Sequence, residues 1–451
     1  MPRALASTGN DVRVVMPLYS RISAEVRATL QPVVSDVSLP LGGTRVIVSI
    51  LEGRLPGPEQ VPVYFVRCPG LFDRAGIYTE DGDEHLRFAA LSWAALALCQ
   101  RIRFAPDVVH ANDWQTALLP LLLRTMFAWD RLFETTRTVL TIHNLGHQGS
   151  FGSDRLGGTG LADAAHHFHQ DDLRDGRINF LLTGILYAHA ITTVSPTYAR
   201  EIQTSEHGLG LDPFLRDRRS VLFGVLNGID EDEWSPELDD KIPHRFSIDD
   251  RSGKRRCKEA LLARVGLPHV QGVPVIGIVS RLAWQKGFDL CFDVLPRVLA
   301  DRGVQLVVLG TGEPKYEGLF SSLANRFPRQ VSYIRTFSEP LAHLIEAGSD
   351  MFLMPSRYEP CGLNQMYSLR YGTLPIVHHT GGLADTVNDH NGFVFRHFDE
   401  NGLRWALKRA LEVYGTPAWT HMQTNAMQGR YGWNERVTAY EQIYAMVAPR
   451  A

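Results

Sequence analysis

The chain has 451 residues, 44% hydrophobic and 21% charged, which fits two or three domains of ordinary size and excludes both a disulfide-stapled miniprotein and a disordered chain. Its 46 Lys and Arg against 49 Asp and Glu give a net charge of −3, with a pI near 6.6, so no global basic field is present to hold a nucleic acid or an anionic membrane. No apolar run approaches the 18 residues of a membrane span, the N-terminus has no signal-peptide core, and five cysteines form no CxxC pair, which together point to a soluble cytoplasmic enzyme.

In chain order, MPRALAS reads as the tail of a helix, stopped at Thr8-Gly9-Asn10 and followed by a strand over Val12–Met16. Further short apolar runs at Arg45–Leu51, Val63–Val66, Val108–His110, Val139–Ile142 and Ile191–Val194 lack strict alternation, as parallel strands buried on both faces do. The Asp113 and His143 positions follow two of these strands, in His110-Ala111-Asn112-Asp113-Trp114 and Thr141-Ile142-His143-Asn144. Phe180, Tyr187 and Trp93 stand in helical contexts and read as core.

A second series runs Val221–Leu226, Val275–Val279, Val304–Leu309, Met351–Met354, Leu374–Val377 and Phe393–Phe395, with helices at Lys254–Arg264, Phe288–Ala300, Gly362–Arg370 and Leu403–Val413 between them. The acidic, proline-containing stretch from Asp230 to Gly253 separates the two series. The expected fold is therefore α/β, two doubly wound domains facing a central cleft, residues 1–229 and residues 230–433, with a helix over 434–451 packing back on the first domain.

The chemistry concentrates after the strands of the second series. Arg281 and Lys286 leave the strand Val275–Val279 together and can clamp a diphosphate. Glu359 precedes a helix whose first amides, at Gly362 and Leu363, point where hydroxyl or phosphate oxygens bind. Thr380-Gly381-Gly382 forms a second cluster in which a bulky side chain would block backbone approach. The acidic triplets Asp230-Glu231-Asp232 and Asp81-Gly82-Asp83 match a metal-holding DxD pattern only superficially, and no zinc spacing, Walker loop or serine elbow is present.

The segments HANDWQTALLP, TIHNLGHQG, INFLLTGILYAHAITTVSPTYAREI, VLNGID, SRLAWQKGFDL, PSRYEPCGLNQMYSLRYGTLPIV and HTGGLADTV together resemble those of bacterial glycogen synthases and plant starch synthases. The resemblance implies a GT-B fold and metal-free, retaining transfer of glucose from ADP-glucose to the non-reducing end of an α-1,4-glucan, with no cofactor. It further implies Arg281 and Lys286 as the diphosphate clamp and Glu359 as the acid beside the transferred glucose. Gly362, Leu363, Thr380, Gly381 and Gly382 become backbone donors, His143 the histidine over the glucose, and Asp113 the acid of the HxxDW segment. Asn227 borders the cleft, and Phe337 falls where an aromatic, often tyrosine, lies against the adenine. A UDP-glucose-using transferase of the same fold and a catalytically weakened glucan-binding relative share these motifs.

Three departures stand out. The family's first strand and Lys-Thr-Gly-Gly-Leu loop have no counterpart, because Met1-Pro2-Arg3-Ala4-Leu5 aligns with the helix that follows them; a clipped, less stable first domain is expected. Leu182 replaces a usual lysine. His378 and His379 precede the TGGL loop where arginine is common.

Overall fold

The computed structural model describes residues 1–42, 44–79 and 81–448. It divides into two compact units, one of Met1–Val194, Ala199–Val225 and Val437–Ala451, the other of Ser195–Tyr198 and Leu226–Arg436.

The first unit opens with the helix Pro2–Ser7 and then β1 (Val14–Pro17), β2 (Gln31–Leu41), β3 (Thr44–Arg54) and β4 (Pro62–Arg67). These form a sheet of order β1-β4-β3-β2. Only β1 and β4 run parallel; β3 is antiparallel to both β4 and β2. The repeating βα pattern expected from the sequence is thus broken here by a meander. Strand β2 escapes a sequence reading because Pro32 and Pro40 interrupt it and two register shifts bend it, with Asp36 at φ 55° inside the second, between Val34 and Val37. Proline is tolerated because β2 is an edge strand. Its last residues alternate strictly, with Val37, Leu39 and Leu41 buried.

A second sheet comprises β5 (Val108–Asn112), β6 (Arg137–Ile142), β9 (Ala190–Thr193) and β10 (Leu222–Gly224), in the order β10-β9-β6-β5 and parallel throughout. A short hairpin, β7 (Ser150–Gly152) with β8 (Arg177–Asn179), stands apart. The run Val221–Leu226, read from sequence as the start of the second series, instead supplies β10 of the first unit, with Leu222 opposite Ile191. The apolar stretch around Phe88 is an 18-residue helix, Glu84–Arg101, with Phe88, Ala89, Ala90, Trp93 and Ala94 buried. No helix among the described residues is long and apolar enough to cross a membrane.

The last helix, Asn434–Val447, buries Val437, Tyr440 and Ile443. Tyr444 Oη lies 2.7 Å from His110 Nδ1, and the other ring nitrogen of His110 lies 2.5 Å from Thr141 Oγ1. Glu441 accepts from Thr8 Oγ1 (2.6 Å) and Asn10 Nδ2 (2.9 Å), fixing the turn after the first helix. His110 is packed against the Tyr440 and Tyr444 rings, and burial pushes its pKa down to about 3. Below an unfolded-state pKa of about 6.5 the unfolded chain therefore binds a proton that the folded chain refuses, so stability falls as pH drops through the window from about 6.5 to 3. Urea midpoints measured from pH 7 to pH 4.5 should decline, and His110→Gln should flatten that decline by up to about one proton per molecule.

The second unit holds β11 (Val275–Val279), β12 (Gln305–Leu309), β13 (Val331–Ile334), β14 (Met351–Met354), β15 (Leu374–His378) and β16 (Phe393–Phe395). All pairings are parallel, in the order β13-β12-β11-β14-β15-β16. Strands β11, β12, β14 and β15 are buried almost throughout, which is why they read as unbroken apolar runs. This is the doubly wound order that reverses between its first and fourth strands, here between β11 and β14, where ligands of such sheets bind.

Candidate active site

The loops after β11 and β14 occupy that reversal point. Together they line a cavity of about 280 Å³ whose wall includes Arg281, Lys286, Ser356, Glu359, Gly362 and Leu363. Five of the residues singled out in the sequence thus share one cavity. Glu359, only 6% exposed, accepts from Lys286 Nζ at 2.7 Å and from Ser356 Oγ at 3.0 Å. A carboxylate this buried needs such partners to offset its lost hydration. The Arg281 side chain is exposed and has no hydrogen-bond or ion-pair partner among the described residues, leaving its guanidinium available for an anion.

The two loops are stitched to each other. Arg357 N donates to the Gln285 carbonyl (2.9 Å) and Gln285 Nε2 to the Tyr358 carbonyl (3.3 Å). The Arg357 guanidinium stacks over the Trp284 and Phe398 rings and pairs with Asp289 at 3.2 Å. Gly287 has φ 70°, and a Cβ there would overlap the Pro355 carbonyl, so this glycine admits the Glu359 loop. His378 lies beneath the same loop, with Nδ1 2.9 Å from the Ser356 carbonyl and its ring against Phe395 and Phe398. Ser356 was not singled out in the sequence, and His378 only as a departure before the TGGL loop; the Ser356 hydroxyl touches Glu359 directly and His378 reaches the loop through the Ser356 carbonyl.

Thr380, Gly381 and Gly382 do not line this cavity. The Gly382 amide donates to the Glu359 and Pro360 carbonyls, both at 3.1 Å, and the Thr380 amide to the His378 carbonyl at 3.0 Å. A Cβ on Gly381 would overlap the Glu359 carbonyl, and one on Gly382 the Cys361 carbonyl. In this structure the Gly382 and Thr380 amides bond within the chain and not toward that cavity. What approaches the glycines closely is the chain's own Glu359 loop. In the same TGGLADTV segment, Asp385 accepts from Ser195 Oγ (2.5 Å), Thr197 N (3.0 Å) and Thr197 Oγ1 (2.6 Å), which ties down the short 195–198 segment of this unit.

Asn227 lies outside the cavity lining. Its backbone touches the buried Cys361 thiol, and its Oδ1 is buried without a hydrogen-bond partner among the described residues. Phe337 sits between β13 and the helix Glu339–Gly348 and is 86% exposed, an open ring face on the surface of the unit.

In the first unit, Asp113 and His143 are neighbours because β5 and β6 pair, with Asn112 opposite Thr141. The Asp113 carboxylate accepts from the His143 amide at 2.7 Å and the Asn144 amide at 3.4 Å, while His143 Nε2 lies 2.9 Å from Asn112 Oδ1. Burial pushes the Asp113 carboxyl up, and His143 and these two amides oppose that shift. Asp113 adopts φ 53°, an unfavourable conformation for a non-glycine, and such strain clusters at functional sites. The Asp113 carboxylate thus bonds the backbone that carries His143. Leu182, at the position of the family's lysine, is 2% exposed in the helix Phe180–Tyr187, whose start Asn179 caps.

The acidic triplet Asp81-Gly82-Asp83 places two carboxylates on Arg74, at 2.7 and 2.6 Å. Among the described residues, Glu233, Glu339 and His343 have metal-binding spacing. Lys241 pairs with both glutamates at 3.0 and 3.1 Å, a cation already in place.

An α/β chain whose second unit is doubly wound, with a cationic and carboxylate-lined cavity at its strand-order reversal, has the architecture of a glycosyltransferase of the GT-B class. Residues 1–217 match the starch synthase catalytic domain family, and residues 263–427 match the glycosyl transferases group 1 family. The glycogen synthase of Myxococcus xanthus is 46% identical over 98% of this chain and 94% of its own length. The glycogen synthase of Aeromonas salmonicida is 41% identical over 98% and 92%. The catalytic domain of starch synthase IV from Arabidopsis thaliana, solved bound to ADP and acarbose, superposes with a TM-score of 0.91 at 32% identity, over 100% of this chain and 94% of that one. The chain belongs to the bacterial glycogen synthase and plant starch synthase family and is a glucosyltransferase of that type.

Proposed function

We propose that the chain transfers glucose from ADP-glucose to the non-reducing end of an α-1,4-glucan with retention of configuration. The observation that carries this reading is the cavity after β11 and β14, where Arg281, Lys286 and Glu359 come together. The donor diphosphate lies against Arg281 and Lys286, whose charges offset the negative charge that develops as the bond from glucosyl C1 to the diphosphate breaks. The acceptor 4-hydroxyl forms the new bond on the same face and gives its proton to the departing diphosphate. Glu359 sets the Lys286 ammonium in place and accepts from the hydroxyls of the transferred glucose, with the Gly362 and Leu363 amides as further donors. Thr380, Gly381 and Gly382 act through the Glu359 loop they pack against. His143, held by Asp113, is assigned to the glucosyl ring, Asn227 to its border, and Phe337 to the adenine face. No metal or cofactor takes part in this scheme.

The test is donor and acceptor dependence. Incubation with ADP-glucose should release ADP only when glycogen is present, and UDP-glucose should release UDP at a small fraction of that rate. Equal or faster release from UDP-glucose would replace the donor assignment. Glycogen binding without transfer from either donor would make the chain a glucan-binding relative.

A further inference from the structure

The second unit holds another group of polar side chains, apart from the cavity after β11 and β14. The helix Glu339–Gly348 carries Glu339 and His343 one turn apart, the i, i+4 spacing that brings two side chains to one patch of a helix surface. Glu233, from the stretch that precedes β11, joins them, so that two carboxylate oxygens and an imidazole nitrogen lie within 4.8 Å of one another. None of the three lines the cavity of Arg281, Lys286 and Glu359.

His343 separates this group from an ordinary surface ion pair. Its side chain is fully buried and stacks on the Trp234 ring with centroids 3.7 Å apart, and Trp234 stacks in turn on Tyr367 at 3.8 Å. Nδ1 lies 2.8 Å from the Asp239 carboxylate, which also accepts from Tyr371 Oη (2.5 Å) and the Lys241 amide (2.8 Å). A carboxylate accepts, so the ring proton sits on Nδ1 and the neutral imidazole has a bare lone pair on Nε2. Nε2 is buried and has no hydrogen-bond partner among the described residues. The Lys241 ammonium bridges Glu233 and Glu339 at 3.0 and 3.1 Å, yet makes no hydrogen bond to Nε2. A buried lone pair beside two carboxylates calls for a cation that accepts electron pairs from all three.

We propose that Glu233, Glu339 and His343 form a binding site for a divalent transition-metal ion of the zinc type, which takes the place of the Lys241 ammonium. One imidazole and two carboxylates suit zinc better than magnesium or calcium, which favour oxygen ligands alone. The Asp239 and His343 pair is the carboxylate and histidine arrangement that orients a metal-bound imidazole. Ligand atoms around a tetrahedral zinc ion stand about 3.4 Å apart, from bonds of about 2.0–2.2 Å. The closure this requires falls on the two exposed glutamates, while the imidazole stays where its stack and Asp239 hold it. The ion fastens the stretch before β11 to the start of a helix two residues past Phe337, and it takes no part in glucosyl transfer.

Zinc titration of the full chain, first freed of metal with a chelator and then read by competition with a chromophoric zinc indicator, tests the site. The titration should show one tight equivalent that magnesium in about hundredfold excess does not displace. Glu339→Gln keeps the size of an exposed side chain but gives a poorer ligand, and it should weaken zinc binding by about tenfold or more. Lys241→Met removes the competing ammonium and should strengthen binding several-fold. Cobalt in place of zinc should give ligand-field absorption without a thiolate charge-transfer band, which excludes the five cysteines as its ligands. Equal melting temperatures of the metal-free proteins will show that the substitutions leave the fold intact. Absence of the tight equivalent, unchanged zinc affinity in either variant, or a thiolate band in the cobalt form would overturn the proposal.

Discussion

Replacing Lys286 by alanine is expected to lower turnover by about 10²–10³-fold, the usual loss when one preorganised stabiliser of developing charge is removed. The ammonium lies 2.7 Å from the Glu359 carboxylate in the cavity that also holds Arg281. Its removal has two consequences. The departing diphosphate keeps only Arg281, and the Glu359 carboxylate, 6% exposed, keeps only Ser356. Initial rates at saturating glycogen should show the loss in turnover, with a smaller change in KM for the donor, because the charge being neutralised grows as the bond breaks. Glu359→Ala should cost a comparable factor. The double variant should fall well short of the product of the two losses, since groups in direct contact do not act independently. A Lys286→Ala protein with more than a tenth of normal turnover would remove the lysine from the mechanism.

Gly381→Ala should produce the second large effect, and by a different route. Residue 381 has φ 42°, so an alanine there costs about 1–2 kcal/mol in backbone conformation before any contact is considered. Its methyl would overlap the Glu359 carbonyl, which is backbone and cannot rotate away. Relief requires the Glu359 loop to move, and a shift near 1 Å at a reacting group can cost about 10²-fold in rate. Turnover should therefore fall by about that factor, with a lowered melting temperature. Lys286→Ala should lower the melting temperature too, because it takes one of two side-chain hydrogen-bond partners from the buried Glu359 carboxylate, so the two variants are told apart by the donor KM. If Gly381→Ala instead raised only the donor KM, the glycine would be serving a ligand directly and not the Glu359 loop.

The contrast between these glycines and the cations shows what a sequence discloses. Arg281, Lys286 and Glu359 were legible because each follows an apolar strand, and charged side chains have nowhere to go at such a strand end except the rim of the sheet. Gly381 and Gly382 announce a close approach but not what approaches, and here it is the carbonyls of Glu359 and Cys361. Asp113 was legible as important, but its carboxylate is turned onto the backbone of His143 through the Asn112–Thr141 pairing, which no local pattern records. The six-stranded sheet was read strand by strand apart from β13, whose Ser332 and Tyr333 break the apolar run. The meander of the first unit was missed where prolines and register shifts in β2 erase the alternation. The run at β10 was placed with the wrong series because only three of its residues pair, and those with β9, which precedes it by some thirty residues.

The division of the first unit into two four-stranded sheets bears on how the chain breathes. Four of those eight strands are edges, β1, β2, β5 and β10, against two of six, β13 and β16, in the second unit. An edge strand pairs along one side only, so half its amides lack a ladder partner and open to solvent by local fluctuation rather than by global unfolding. In deuterated buffer β1 and β5 should exchange early, whereas β11 and β14, paired on both sides, should keep their protons longest. The protein would then hold its diphosphate-facing strands in its slowest-exchanging region, while the strand carrying Asn112 lies in a faster-exchanging one.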